Sequence, residues 1–101
     1  MTLRIYSEEK CEKRLEAPTI EDVLSTIDEK YHSLVMRDGY RNQLDLTKDN
    51  TTVTLTTKSG EFRTRENLDS TDVKNLFKLF FEENIDKLKA MEWDYGHYFN
   101  L

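Results

Sequence analysis

Residues 33–65 read SLVMRDGYRNQLDLTKDNTTVTLTTKSGEFRTR, and this run decides the fold. Its apolar residues tend to alternate with polar ones at period two, the spacing that sends successive side chains to opposite faces of a strand. Turn signals cut the run into pieces. Asp38-Gly39 marks a two-residue hairpin because both positions tolerate positive φ, Lys48-Asp49-Asn50 makes a second turn, and Ser59-Gly60 makes a third. Ser33–Arg37 is apolar and β-compatible. In residues 40–47, Tyr40, Asn42, Leu44 and Leu46 share one side, while Arg41, Gln43, Asp45 and Thr47 share the other. Val53 and Leu55 point inward from residues 51–57, with Thr52, Thr54 and Thr56 outward. In residues 61–65, Phe62 and Thr64 take the inward side against Glu61, Arg63 and Arg65. A four-strand meander with one apolar face is the expected result.

Working outward, Thr2–Tyr6 alternates Leu3 and Ile5 with polar neighbours and reads as another strand. Residues 7–16 are dominated by charge around Cys11, as in a solvated connection or a weak strand extension. Pro18-Thr19-Ile20-Glu21-Asp22 is a helix start, with Thr19 and Asp22 at the two positions of a capping box. Ile20, Val23, Leu24, Ile27 and Tyr31 follow at helical spacing and form a face to pack on the sheet. Glu21, Asp22, Ser25, Asp28 and Glu29 occupy the outward arc, with only Lys30 nearby, so an acidic stripe is expected.

On the far side, Asp69 or Ser70 caps a second helix of about six turns. Its core face is Val73, Leu76, Phe77, Phe80, Phe81, Leu88 and Met91. Lys78 with Glu82, and Glu83 with Lys87, make an ordinary salt-laced surface. Asn84 falls within the apolar arc and needs a partner if buried, whereas Leu79 projects away from that arc. Residues 93–101, including Tyr95 and Tyr98, are rich in aromatics, a composition that either closes the open end of a core or anchors a partner. The predicted architecture is one α+β domain over residues 1–101. It has a single antiparallel sheet of about five strands, two helices packed on one face, and the order β-α-β-β-β-β-α.

At 101 residues the chain suits a single core. Its one cysteine cannot form an internal disulfide, which points to a reducing, cytoplasmic setting. No leader-like N-terminus or membrane-length apolar run is present in it. A formal charge of −5 opposes direct nucleic-acid binding and makes a protein partner the easier expectation. Cys11 with His32 or His97 lacks a marked orienting group, and the histidines, cysteine and acids show no zinc spacing. Glu8-Glu9 and Glu82-Glu83 are adjacent acids, which point about 100° apart on a helix and make poor catalytic dyads. With three glycines, the chain has little material for a phosphate cradle. No catalytic, cofactor-binding or metal-ligating residue is therefore assigned, and no enzyme activity or cofactor is expected.

Helix, sheet, helix is also the order of double-stranded-RNA-binding domains, but the second helix here opens on Asn67-Leu68-Asp69-Ser70-Thr71-Asp72, not on phosphate-gripping bases. A sheet-face RNA binder stacks bases on aromatics, whereas the expected open face offers Thr52, Thr54, Thr56, Arg41, Arg63 and Arg65.

The short strand, the Pro-started helix across residues 15–28 (LEAPTIEDVLSTID) and the strand meander that follows together resemble the small immunity proteins that accompany bacterial polymorphic toxins. The likeness covers about the first two thirds of the chain; residues 50–60 are Thr-rich where one such family is glycine-rich. The resemblance implies a cytoplasmic, cofactor-free protein that occludes a cognate toxin's active site or an essential surface. The expected partner-binding residues are Glu21, Asp22, Ser25, Asp28, Glu29, Tyr95 and Tyr98, with the acidic stripe speeding encounter with a basic surface. Two other readings stand beside this one: a phage or mobile-element antagonist with an acidic, nucleic-acid-mimicking surface, and a structural domain that forms homodimers through Leu79 and the aromatic tail.

Overall fold

The computed structural model describes residues 1–98, without the side chains of His97 and Tyr98. Its elements are β1 (Thr2–Tyr6), β2 (Cys11–Glu16), α1 (Ile20–Ile27), β3 (Ser33–Arg37), β4 (Gln43–Thr47), β5 (Thr52–Thr56), β6 (Glu61–Arg65), α2 (Ser70–Phe81), α3 (Ile85–Ala90) and β7 (Tyr95–Tyr98). All seven strands form one antiparallel sheet in the order β2-β1-β3-β4-β5-β6-β7. The α+β class and single antiparallel sheet are as expected, with seven strands in place of about five and three helices in place of two.

Both additional strands are edges. β2 folds back on β1 with a register shift between Ile5 and Tyr6, and Leu15, opposite Leu3, is its one residue packed against the core. An edge strand needs little apolar surface, and charges on it discourage pairing with another chain, so its sequence reads as a solvated connection. β7 pairs with β6 through residues 95–98, the tail segment expected to dock. Phe99, Asn100 and Leu101 of that tail lie outside the described residues.

Register carries one row of apolar side chains across the sheet. Leu3 lies opposite Met36, Met36 opposite Leu44, and Leu44 opposite Leu55; Ile5, Leu34, Leu46 and Val53 form a parallel row. The helices cover these rows with Val23, Ile27, Val73, Leu76, Phe77, Phe80 and Leu88, all buried in the same core.

The capping box at α1 forms as expected: the Asp22 amide donates to Thr19 Oγ1 at 3.1 Å, and the Thr19 amide donates to Asp22 Oδ2 at 3.0 Å. Asp69 caps α2 through the Asp72 amide at 2.8 Å. α1 ends at Ile27, so Tyr31 is not on its face; the phenol reaches back and donates to the Ile27 carbonyl at 2.6 Å.

The expected six-turn helix is broken after Phe81. Glu83 takes a left-handed φ of 60°, and Asn84 leads into α3, which still delivers Leu88 to the core. Leu79, expected to project away, packs against the core's edge and shares a groove with Met91.

The Asp38-Gly39 hairpin is longer than two residues. Residues 38–42 connect the strands, and the left-handed residue is Arg41, at φ 68°. Asp38 Oδ1 accepts from the amides of Tyr40 (2.8 Å) and Asn42 (3.0 Å), an Asx-type closure that draws both into the loop. Tyr40 is consequently 62% exposed rather than on the core side, and Arg41 is not on the sheet face.

The β5–β6 connection changes more. The Thr57 amide donates to the Glu61 carbonyl, the Gly60 amide donates to the Thr57 carbonyl, and Gly60 has φ 86°, the geometry of a tight turn followed by a left-handed glycine. This connection pairs Leu55 with Arg63 and Val53 with Arg65. Glu61, Arg63 and Arg65 therefore lie on the helix-covered face, and Phe62 and Thr64 on the open one, the reverse of the expectation.

On the covered face Glu61, 8% exposed, accepts from Lys89 of α3 at 2.9 Å and from Arg63 at 2.8 Å, which ties α3 to the sheet. The Lys89 ammonium and then the Arg63 guanidinium hold its carboxyl down to about 2, from an ordinary 4.5. Because the folded state lowers this value, the stabilisation is present above pH 4.5 and is lost as pH falls towards 2. Glu61→Gln is expected to unfold more easily at neutral pH, and the difference from wild type should shrink through that acid window. Urea midpoints measured at several pH values check this; a difference constant with pH counts against it.

Candidate functional site

Two surfaces are candidates, on opposite sides of the molecule. The first is the expected acidic stripe. Asp22 is spent on the capping box, and its carbonyl accepts from Ser25 Oγ at 3.2 Å. Asp28 caps the end of α1 and bonds across to α2, with Lys74 Nζ at 2.6 Å and Ser70 Oγ at 3.1 Å. Hydrogen bonding from Lys74, then from Ser70, lowers its pKa. Glu21 and Glu29 remain exposed, and Glu29 lies beyond the helix end. The stripe is thus partly a structural seam between α1 and α2. Asp28 also lines a cleft of about 160 Å³, together with the apolar Ile27, Leu46, Leu68 and Val73 and the polar Lys48, Thr51 and Ser70.

The second surface is the face of the sheet that the helices leave uncovered. One row crosses it through register alone: Arg14 opposite Arg4, then Val35, Asp45, Thr54, Thr64 and Tyr95. A neighbouring row carries Thr2, Arg37, Gln43, Thr56 and Phe62. At about 4.8 Å per strand, Arg4 and Tyr95 stand about 24 Å apart. Tyr6, Val35, Phe62 and Tyr95 supply apolar or aromatic surface here, and Tyr95 is 50% exposed. Thr54 and Thr64 share a hydroxyl hydrogen bond at 3.1 Å between β5 and β6.

A polar chain runs along this face. Arg37 Nε donates to Gln43 Oε1 at 2.6 Å, and Gln43 Nε2 donates to both oxygens of Asp45, at 3.0 and 2.9 Å. Burial pushes the Asp45 carboxyl up, against the Gln43 hydrogen bonds and the Arg37 charge that pull it down. This half-buried acid gives no apolar or motif signal in the sequence, and only the crossing of strands makes it noticeable.

Of the expected binding residues, Tyr95 lies on the open face, remote from Glu21, Asp22, Ser25, Asp28 and Glu29 on the helical side; its hydroxyl meets Glu66 Oε1 at 3.4 Å. Tyr98 belongs to β7, but its side chain lies outside what is described. The alternation with Leu3 and Ile5 already set Tyr6 opposite the core, whereas sequence reasoning missed Phe62 as an open-face aromatic. The legible cue was Gly60, whose left-handed preference accommodates a three-residue hairpin loop as readily as a two-residue turn.

The Cys11 thiol donates to the Lys13 carbonyl at 3.5 Å on the exposed edge strand. Among the described residues no group of three or more His, Cys, Asp or Glu converges as metal ligands would, and no helix is long and apolar enough to cross a membrane. Comparison of the chain with protein-family models, with curated proteins and with solved structures found no match.

Proposed function

We propose that this chain is a non-enzymatic protein-binding module, an immunity-type inhibitor that neutralises a cognate bacterial toxin domain by covering its surface with the open face of the sheet. One observation carries the reading: the uncovered face holds Tyr6 beside Arg4, Arg14 and Arg37 at one side of the sheet, and Phe62 and Tyr95 at the other. Aromatics and arginine are the side chains enriched in the energetically dominant parts of protein interfaces, because rings bury large areas with few rotatable bonds and the planar guanidinium makes several directed hydrogen bonds. The immunity-type assignment rests on the resemblance of the N-terminal two thirds. Glu21 and Glu29, exposed on the other side, contribute to long-range attraction and not to the contact itself.

The test is protection from a toxin domain encoded beside this chain's gene. Co-expression should relieve growth arrest, and the double variant Tyr95→Ala/Thr56→Arg, which alters the open face far from the helices, should weaken toxin binding about thirtyfold or more, the loss of one interface hot spot. Circular dichroism on the variant keeps folding separate from binding. Absent protection, or equal protection by the folded variant, overturns the proposal.

A further inference from the structure

Arg4, Arg14 and Arg37 come from three adjacent strands onto one side of the sheet. Arg4 lies directly opposite Arg14 on β2, and diagonally from Arg37 on β3. Neighbours of this kind are about 5–8 Å apart, close enough for like charges to destabilise one another. The chain has 20 acids and 15 bases, so carboxylates are in excess, yet those near this cluster, Glu16 and Asp45, satisfy it only in part. Arg14 Nε pairs with Glu16 at 2.7 Å, both side chains being at least half exposed. Arg37 meets the neutral oxygen of Gln43, whose amide group is held by Asp45. Arg4 Nε is buried with no hydrogen-bond partner among the described residues.

We infer that Arg4, Arg14 and Arg37 form a receptor for carboxylates presented by an acidic, extended segment of the protein partner. This rests on the binding-module reading above and names the partner's chemistry. Guanidinium forks match carboxylates in parallel, two-bond geometry, and a charge-assisted bond of that kind is about twice as strong as a neutral one. Val35 and Tyr6 border the cluster and would limit water around a docked carboxylate. Phosphates of single-stranded nucleic acid fit less well. Such binding strings bases on successive aromatics along a basic groove. Here Tyr6 stands beside the arginines, Phe62 and Tyr95 lie at the far side of the sheet, and Asp45 stands between.

Labelled full-length chain is titrated at low salt with a short peptide alternating glutamate and threonine, with its lysine counterpart, and with a short oligothymidylate. The glutamate peptide should shift the amides of Arg4, Arg14, Val35 and Arg37, and Arg4→Gln should weaken it about tenfold. Glu16→Gln, which frees Arg14, should tighten it. The lysine peptide should leave these amides unmoved. Tighter binding of the oligothymidylate to the same amides, shifts located elsewhere, or affinity unchanged by Arg4→Gln in a chain that remains folded overturns the inference. A silent cluster alongside protection that depends on Tyr95 removes the carboxylate receptor and leaves the binding-module reading standing. Glutamate binding without toxin protection does the reverse.

Discussion

Replacing Phe77 with alanine is expected to lower global stability by about 3–5 kcal/mol, the cost of deleting a buried aromatic and leaving its cavity. Phe77 is fully buried in α2, the helix that packs against both α1 and α3 and also touches β4. A cavity there loosens every layer at once, and the surrounding side chains, Phe80 among them, are themselves fully buried and have little room to close it. Domains of this kind have about 5–15 kcal/mol in all, so the variant stands near the limit of folding. Urea unfolding followed by Trp93 fluorescence reads the change, since the Trp93 indole is anchored on the Leu88 carbonyl at 2.8 Å. A loss under about 1 kcal/mol would mean that the core repacks around the gap and that α2 is not its centre.

The second large effect is local. Gly96 of β7 lies so close to β6 that a Cβ there would come within 2.6 Å of the Phe62 carbonyl oxygen and 3.0 Å of Arg63 Cγ. The oxygen belongs to backbone and cannot swing aside, so Gly96→Ala must push the strands apart. Overpacking of this kind costs about 1–3 kcal/mol. Because β7 is an edge strand, the strain is expected to release by peeling that strand off, leaving the apolar rows beneath the helices intact. Amide exchange should rise sharply across Tyr95–Tyr98 and at the Asp94 amide, which donates to the Thr64 carbonyl, while the amides of β3 to β5 keep their protection. Tyr95 leaves the open face with the strand, so toxin protection should fall as it does in the Tyr95 variant. Gly39→Ala, where an added Cβ meets nothing within 4 Å, serves as the control. Unchanged exchange in β7 would show that this edge accommodates the methyl group.

The candidate surfaces differed in how far they could be read beforehand. Helical spacing located the acids of α1, because that spacing is local. The capping signature also gave Asp22 its partner, Thr19, but nothing local showed that Asp28 has partners, since it bonds to Ser70 and Lys74 more than forty residues away. The open face was harder to read: its arginines and aromatics belong to five strands scattered between residues 4 and 95, and adjacency exists only after pairing. Phe62 also looked like core because it is apolar, yet Glu61 and Arg63 occupy the covered face by pairing with each other and with Lys89.

Short-range chemistry in the chain specifies the antiparallel α+β plan, the Thr19–Asp22 cap, the buried alternation of Leu44, Leu46, Val53 and Leu55, and the helix that carries Phe77. Each depends on neighbours a few residues apart. Tertiary structure decides which face each side chain of β6 takes, that the charged segment of β2 is a strand, and that the last helix breaks at Glu83. The physical reason is parity. Side chains alternate with period two, so one residue more or less in a hairpin loop exchanges the two faces of everything beyond it, and a glycine in a turn permits either count.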